Sequence, residues 1–175
     1  MITLAEELIV LLNSLLGQQV VGVERIHYTH HGQVTRDTGP LQVTTSSSDS
    51  LLLSGGGDGA SLRVERGPWV DPFAGELSPE NEEYVERSGN FDIFDAAEDP
   101  KYGRLVGGII GAICPIRDEV GLLRGLEIVV DDHLLHFLVE WDEDFVTVDD
   151  GGELVRSMRF HVERGTPPSF GIRLT

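Results

Sequence analysis

A pattern of apolar residues occurs twice in this chain, and any fold must accommodate both copies. The tighter copy spans Arg104 to Val148: Leu105 and Gly107, then Ile110, Ile113 and Ile116, then Leu126-Glu127-Ile128, Leu134-Leu135 and Val146-Thr147-Val148. The looser copy runs Leu15 and Gly17, then Val20, Val23 and Ile26, then Leu41-Gln42-Val43, Leu51-Leu52 and Leu62-Arg63-Val64. From Leu15 through Ile26 the two stay in register at a separation of ninety residues. Beyond that the register slips at the loops, where insertions are tolerated. We read an internal duplication; the alternative is chance likeness among successive apolar strands. The spacing exceeds the roughly 20 to 50 residues of solenoid repeats, so two related half-units in one compact body are expected.

The 175 residues fit a single domain, and a chain near this size buries about 70% of the surface its unfolded form exposes. The expected organisation is one domain over 1–175, with a first half-unit over 1–66, a linker over 67–103, a second half-unit over 104–150, and a C-terminal strand and tail over 151–175. With 40% hydrophobic and 25% charged residues, the composition is that of a globular protein.

Local signals place the elements. Thr3-Leu4-Ala5-Glu6 has the form of a capping box. Leu4, Leu8, Leu11, Leu12, Leu15 and Leu16 recur at helical spacing before Gly17, which predicts a helix from Leu4 to Leu16 whose leucine stripe covers a sheet. Valine-rich Gln18–Tyr28 reads as a strand, with a turn at Gly32, and three short strands follow over 40–45, 50–54 and 60–65. In the linker, Ser78-Pro79-Glu80 offers a cap, a proline at the first helical position and an acid in the first turn, predicting a helix from Pro79 to about Arg87. Trp69, Phe73, Phe91 and Phe94 flank that helix and are expected to fold the linker back onto the sheet.

The second half-unit is the more apolar. Its third strand, Leu134 to Trp141, puts Leu135, Phe137, Val139 and Trp141 on one face and Leu134, His136, Leu138 and Glu140 on the other. A strand apolar on both sides belongs at the centre of a sheet, or under another subunit. After Asp149-Asp150-Gly151-Gly152 a last alternating strand is expected, with Met158, Phe160 and Val162 pointing one way, then a tail from Phe170 to Leu174. Consecutive strands are linked by turns too short for helical crossovers. The fold class is therefore α+β: two related antiparallel β-meander units, an N-terminal helix and a short linker helix, sharing one core.

The net charge of −17, from 30 acidic against 13 basic residues, disfavours direct contact with nucleic-acid phosphates, which is driven by Lys and Arg. An acidic field instead steers basic partners inward. The single cysteine, Cys114, excludes an internal disulfide, and its apolar setting is that of an inert thiol. No stretch approaches the ~20 apolar residues of a membrane span, and the N-terminus lacks the basic region of a signal peptide. No membrane association and a cytoplasmic location are expected.

Catalytic and cofactor motifs are missing. Ser54-Gly55-Gly56-Gly57-Asp58-Gly59 lacks the Gly-Lys-Ser/Thr ending of a phosphate-binding loop and no helix follows it, so a flexible hairpin tip is expected. The six histidines show no spacing that brings three or four ligands together, and no EF-hand pattern is present. There is no Gly-x-Ser-x-Gly elbow and no histidine beside Cys114 in sequence. No catalytic residue, no metal and no cofactor is assigned.

The densest acidic run is Trp141-Asp142-Glu143-Asp144, flanked by Asp131-Asp132. On a meander those two groups fall at opposite ends of the third strand. Charge and the missing motifs point to a non-enzymatic acidic binding protein that engages a basic protein partner, an inhibitor or immunity-type protein being one example, through Asp131, Asp132, Trp141, Asp142, Glu143 and Asp144. The alternative is a small-molecule-binding or hydrolytic domain, with a pocket between the half-units where Trp69, Phe73 and Trp141 meet a carboxylate. Homodimerisation through the second half-unit is compatible with either.

Overall fold

The computed structural model describes residues 4–150. The Thr3 cap, the expected strand through Met158–Val162 and the Phe170–Leu174 tail lie outside them. The fold is α+β, and the described residues form two antiparallel sheets and three helices around one shared core.

Helix α1 spans Leu4–Leu15. Its Leu12 and Leu15 are buried in the core, with Leu8 and Leu11 packed against it, so the leucine stripe covers sheet residues as its spacing predicts. Strand β1, Val20–His30, is followed by β2, Gln33–Thr35, through a two-residue turn at His31 and Gly32, both at positive φ. The meander continues through β3 (Leu41–Thr45), β4 (Ser50–Gly55) and β5 (Leu62–Arg66). Helix α2, Pro79–Ser88, begins as the sequence predicts: the Ser78 hydroxyl accepts from the Asn81 amide and Pro79 opens the first turn.

The linker contains more than that helix. Asn90–Asp95 forms a further strand, β6, paired antiparallel with β1 from Thr29↔Asn90 to Glu24↔Asp95, and Pro100–Gly103 forms a short helix, α3. The first sheet therefore has six strands, where four were expected. The two additional strands are β2 and β6. Glu24 and Arg25 pair with β3 and with β6 at once, and Tyr28 and Thr29 with β2 and with β6, so β6 lies on the edge of β1 opposite β2 and β3 and satisfies N–H and C=O groups that would otherwise be open.

The second sheet is a plain four-stranded meander, β7 (Ile110–Arg117), β8 (Leu123–Val130), β9 (His133–Glu140) and β10 (Glu143–Asp150), in the order β10-β9-β8-β7. Central β9 buries Leu135, Phe137 and Val139 completely, while Leu134, His136 and Leu138 on its other face are half-buried. Trp141 does not continue that buried face, contrary to the alternation. It lies in the two-residue β9–β10 turn with Asp142, at φ 54 and 64, because Glu140 already pairs with Glu143. Positive φ at both central residues is the hairpin turn whose twist matches its strands.

The two sheets meet at the starts of β1 and β7. Gln19 and Ile109 form an isolated antiparallel bridge. Around it the hydrogen bonds come in matched pairs. Gly17 N donates to Ile110 O and Gly107 N to Val20 O, both at 2.8 Å, while Val20 N donates to Gly108 O and Ile110 N to Gln18 O, both at 2.9 Å. Gly17 and Gly107, Gln18 and Gly108, and Val20 and Ile110 each stand ninety residues apart in sequence, so the two bonds of each pair exchange under that shift and the bridge lies on a local twofold relation between the two segments. One apolar cluster draws on both sheets, including Val23, Leu41 and Leu53 from the first and Leu126, Phe137 and Val139 from the second.

Candidate functional site

Where the end of β4 faces the start of β10, the two sheets part and leave a cleft of about 520 Å³. Its walls come from both sheets and their loops. Tyr28, Thr38, Gly39, Gly55 and Phe91 lie on the side of the first, and Asp142, Glu143 and Asp144 on the side of the second. The cleft is fixed by backbone contacts: Gly39 N donates to Asp144 O at 3.2 Å, and Asp142 N donates to Gly59 O at 3.0 Å. The glycine-rich tip after β4 thus braces the turn of β10. The Tyr28 and Phe91 rings meet edge-on at 5.7 Å, and the Tyr28 hydroxyl donates to Ser88 O at 2.6 Å.

Asp144 is the unusual member. It pairs with Val139 in the β9–β10 ladder and so points inward, like Val146 and Val148 further along the strand. It is 7% exposed, and its Oδ1 has no hydrogen-bond partner. Burial pushes this carboxyl up to about 6, against the pull of Arg25 and the Gly55 backbone, and Glu143 pushes it further. Arg25 approaches from β1, where it follows Val23 on the inward face. It is 2% exposed, its Nε and Nη1 are without partners, and its guanidinium lies 6.0 Å from the centre of the Tyr102 ring. Arg25 and Asp144 feel each other's charge without forming an ion pair. Beside them His27 donates from Nδ1 to Thr38 O at 3.1 Å, and burial pulls its imidazole below the ordinary range.

The structure gathers Asp142, Glu143 and Asp144 at this cleft, with Trp141 in the same turn, 90% exposed to solvent. Asp131 and Asp132 sit in the turn at the other end of β9, roughly 25 Å away along eight residues of strand. There Asp131 has a structural task, accepting from Ile109 N through Oδ1 at 3.2 Å and donating its own amide to Ile109 O at 3.0 Å. Trp69 and Phe73 stay on the linker, apart from the cleft. Trp69 N donates to the Gln42 side chain at 2.6 Å, and the Phe73 ring packs 5.7 Å from Tyr84. No three His, Cys, Asp or Glu side chains among the described residues are grouped to ligate a metal ion.

Sequence reasoning missed Arg25, Tyr28 and the glycines Gly39 and Gly55. For Arg25 a signal was present: a charged residue at an inward position of an alternating strand, two residues after Val23. The glycines become part of the site only through contacts with Asp144 on the other sheet. Scans against protein-family models, curated proteins and solved structures find no match to this chain.

Proposed function

We propose that this chain is a non-enzymatic acidic binding protein that engages a basic protein partner through the turn and cleft at Trp141–Asp144, an inhibitor or immunity-type role being one example. The observation that carries the reading is Trp141. A tryptophan held 90% exposed, in a left-handed conformation that a bulky side chain rarely adopts, has no role in the core. Such rings anchor protein interfaces. Beside it stand three carboxylates in a chain of net charge −17, which supplies long-range attraction for a basic surface.

The test is capture from native cell extract at low and moderate salt, followed by titration of the purified partner against wild type and Trp141→Ala. A basic partner whose affinity falls with salt, and by at least about thirtyfold in the variant, supports the reading. No partner at either salt, or one that binds the variant equally well, overturns it.

A second reading, a small-molecule-binding or hydrolytic domain, draws support from one feature. Asp144, at about 6, holds its proton close to neutrality in a cleft, as a general acid requires. Saturable binding of a neutral small molecule that Asp144→Asn abolishes would favour it.

A further inference from the structure

We infer that the cleft is the seat for one basic side chain of that partner, an arginine or lysine whose cationic head lies against Asp144 while Trp141 packs outside. The inference rests on the binding role proposed above and adds what is recognised. The starting point is the Asp144 side chain: more than nine-tenths buried, lining the cleft, with Oδ1 unpartnered. A buried polar atom of this kind is costly unless something satisfies it. Asp142 and Glu143 line the same cleft, and among the described residues none that lines it is Lys or Arg. Arg25, whose charge Asp144 feels, is itself buried in the core and forms no ion pair with it.

The shape and walls fit an extended organic cation. About 520 Å³ is in the range of sites for small organic groups. Tyr28 and Phe91 supply aromatic surface against which the stem of a basic side chain, or its cation, packs favourably. A bare divalent ion fits less well, since it needs several oxygens converging at about 2.3–2.6 Å, and the described carboxylates are not so grouped.

The experiment is an NMR amide titration of the intact protein with N-acetyl-arginine amide, using N-acetyl-citrulline amide as the uncharged isostere. The arginine probe is expected to shift the Gly39, Gly55 and Asp144 amides with an affinity in the millimolar range, as suits a single side chain, and citrulline is expected to leave them in place. Asp144→Asn should weaken the arginine probe at least about tenfold, and Glu143→Gln, on the rim, by about two- to threefold. Equal binding of arginine and citrulline, or no response at the cleft in a spectrum that is otherwise native, overturns the inference.

Titration of the purified partner separates this idea from the one it rests on. If Trp141→Ala loses the partner while Asp144→Asn and Glu143→Gln keep it, the seat is wrong and the binding role stands. If the arginine probe fills the cleft but no basic partner exists, the cation site stands and the protein-binding role falls.

Discussion

Asp142 donates its backbone amide to the carbonyl of Gly59, joining the hairpin tip of the first sheet to the turn that carries Trp141 on the second. The contact is close because Gly59 has no side chain. At φ +67, a Cβ there would stand 2.0 Å from the Asp142 carboxylate.

Gly59→Ala is therefore expected to cost about 1–2 kcal/mol, combining the left-handed backbone with displacement of the Asp142 side chain. Urea denaturation should show a lower midpoint with an unchanged slope, and partner affinity should fall as the turn shifts. A variant as stable as wild type would mean that the tip and the turn are not held together.

For Asp144 the expected effect depends on pH. Its folded value of about 6 lies above the 3.8 of an unperturbed carboxyl, so the folded state holds this proton more tightly than the unfolded state does. The stability it contributes is fully present below about pH 4 and is lost as pH rises through about 6. At most this amounts to about 3 kcal/mol. Asp144→Asn keeps an uncharged group throughout. It should match wild type near pH 4 and become progressively the more stable of the two toward pH 7, by about 1–3 kcal/mol. Depressed carboxyls such as Asp49 and Asp58 titrate in both proteins and cancel in the difference. A difference that stays flat between pH 4 and 7 would show that the buried carboxyl does not titrate there.

The parts of this fold that were legible in sequence are those with local causes. Leucine spacing placed α1 to within a residue, and Ser78-Pro79 placed α2, because helix signals and caps act within one turn of chain. Strand β6 was hidden because Asn-Phe-Asp-Ile-Phe-Asp becomes a strand by pairing with β1, some sixty residues upstream. Trp141 was misplaced because alternation was carried one residue past the register, and Trp-Asp lacks the Asn-Gly or Asp-Gly signature of such a turn. The acidic triplet at the candidate site was visible as composition. Its meeting with Arg25, Gly39 and Gly55 was not, since that depends on how the two sheets face each other. The hydrogen bonds around Gln19 and Ile109 join the two segments that share the ninety-residue register, a contact that the register alone did not imply.

The turn at Trp141 sets stability against binding. A tryptophan at φ 54 carries a backbone penalty of about 1 kcal/mol that glycine would not, and its exposed ring offers little burial in return. Trp141→Gly should therefore raise the unfolding midpoint by a small amount while removing the interface anchor, so stability and partner affinity move in opposite directions. Thermal denaturation paired with titration of the partner measures both. Loss of stability in this variant would show that the indole packs on the protein and is not held for a partner.

The apolar cluster shared by the two sheets has a consequence for unfolding. Phe137, in β9, and Leu53, in β4, are both fully buried and belong to that one cluster. Phe137→Ala should cost about 3–5 kcal/mol and Leu53→Ala about 2–5 kcal/mol. If the half-units unfold as one unit, each substitution must lower the same transition. The two tryptophans allow this to be read separately, since Trp69 lies on the linker against the first sheet and Trp141 on the turn of the second. In Trp69→Phe and Trp141→Phe backgrounds, fluorescence and circular dichroism should give coincident midpoints before and after either core substitution. A Phe137→Ala protein in which the Trp69 signal keeps its original midpoint would divide the chain into two independently folding halves, and the cleft between them would then lack a fixed geometry.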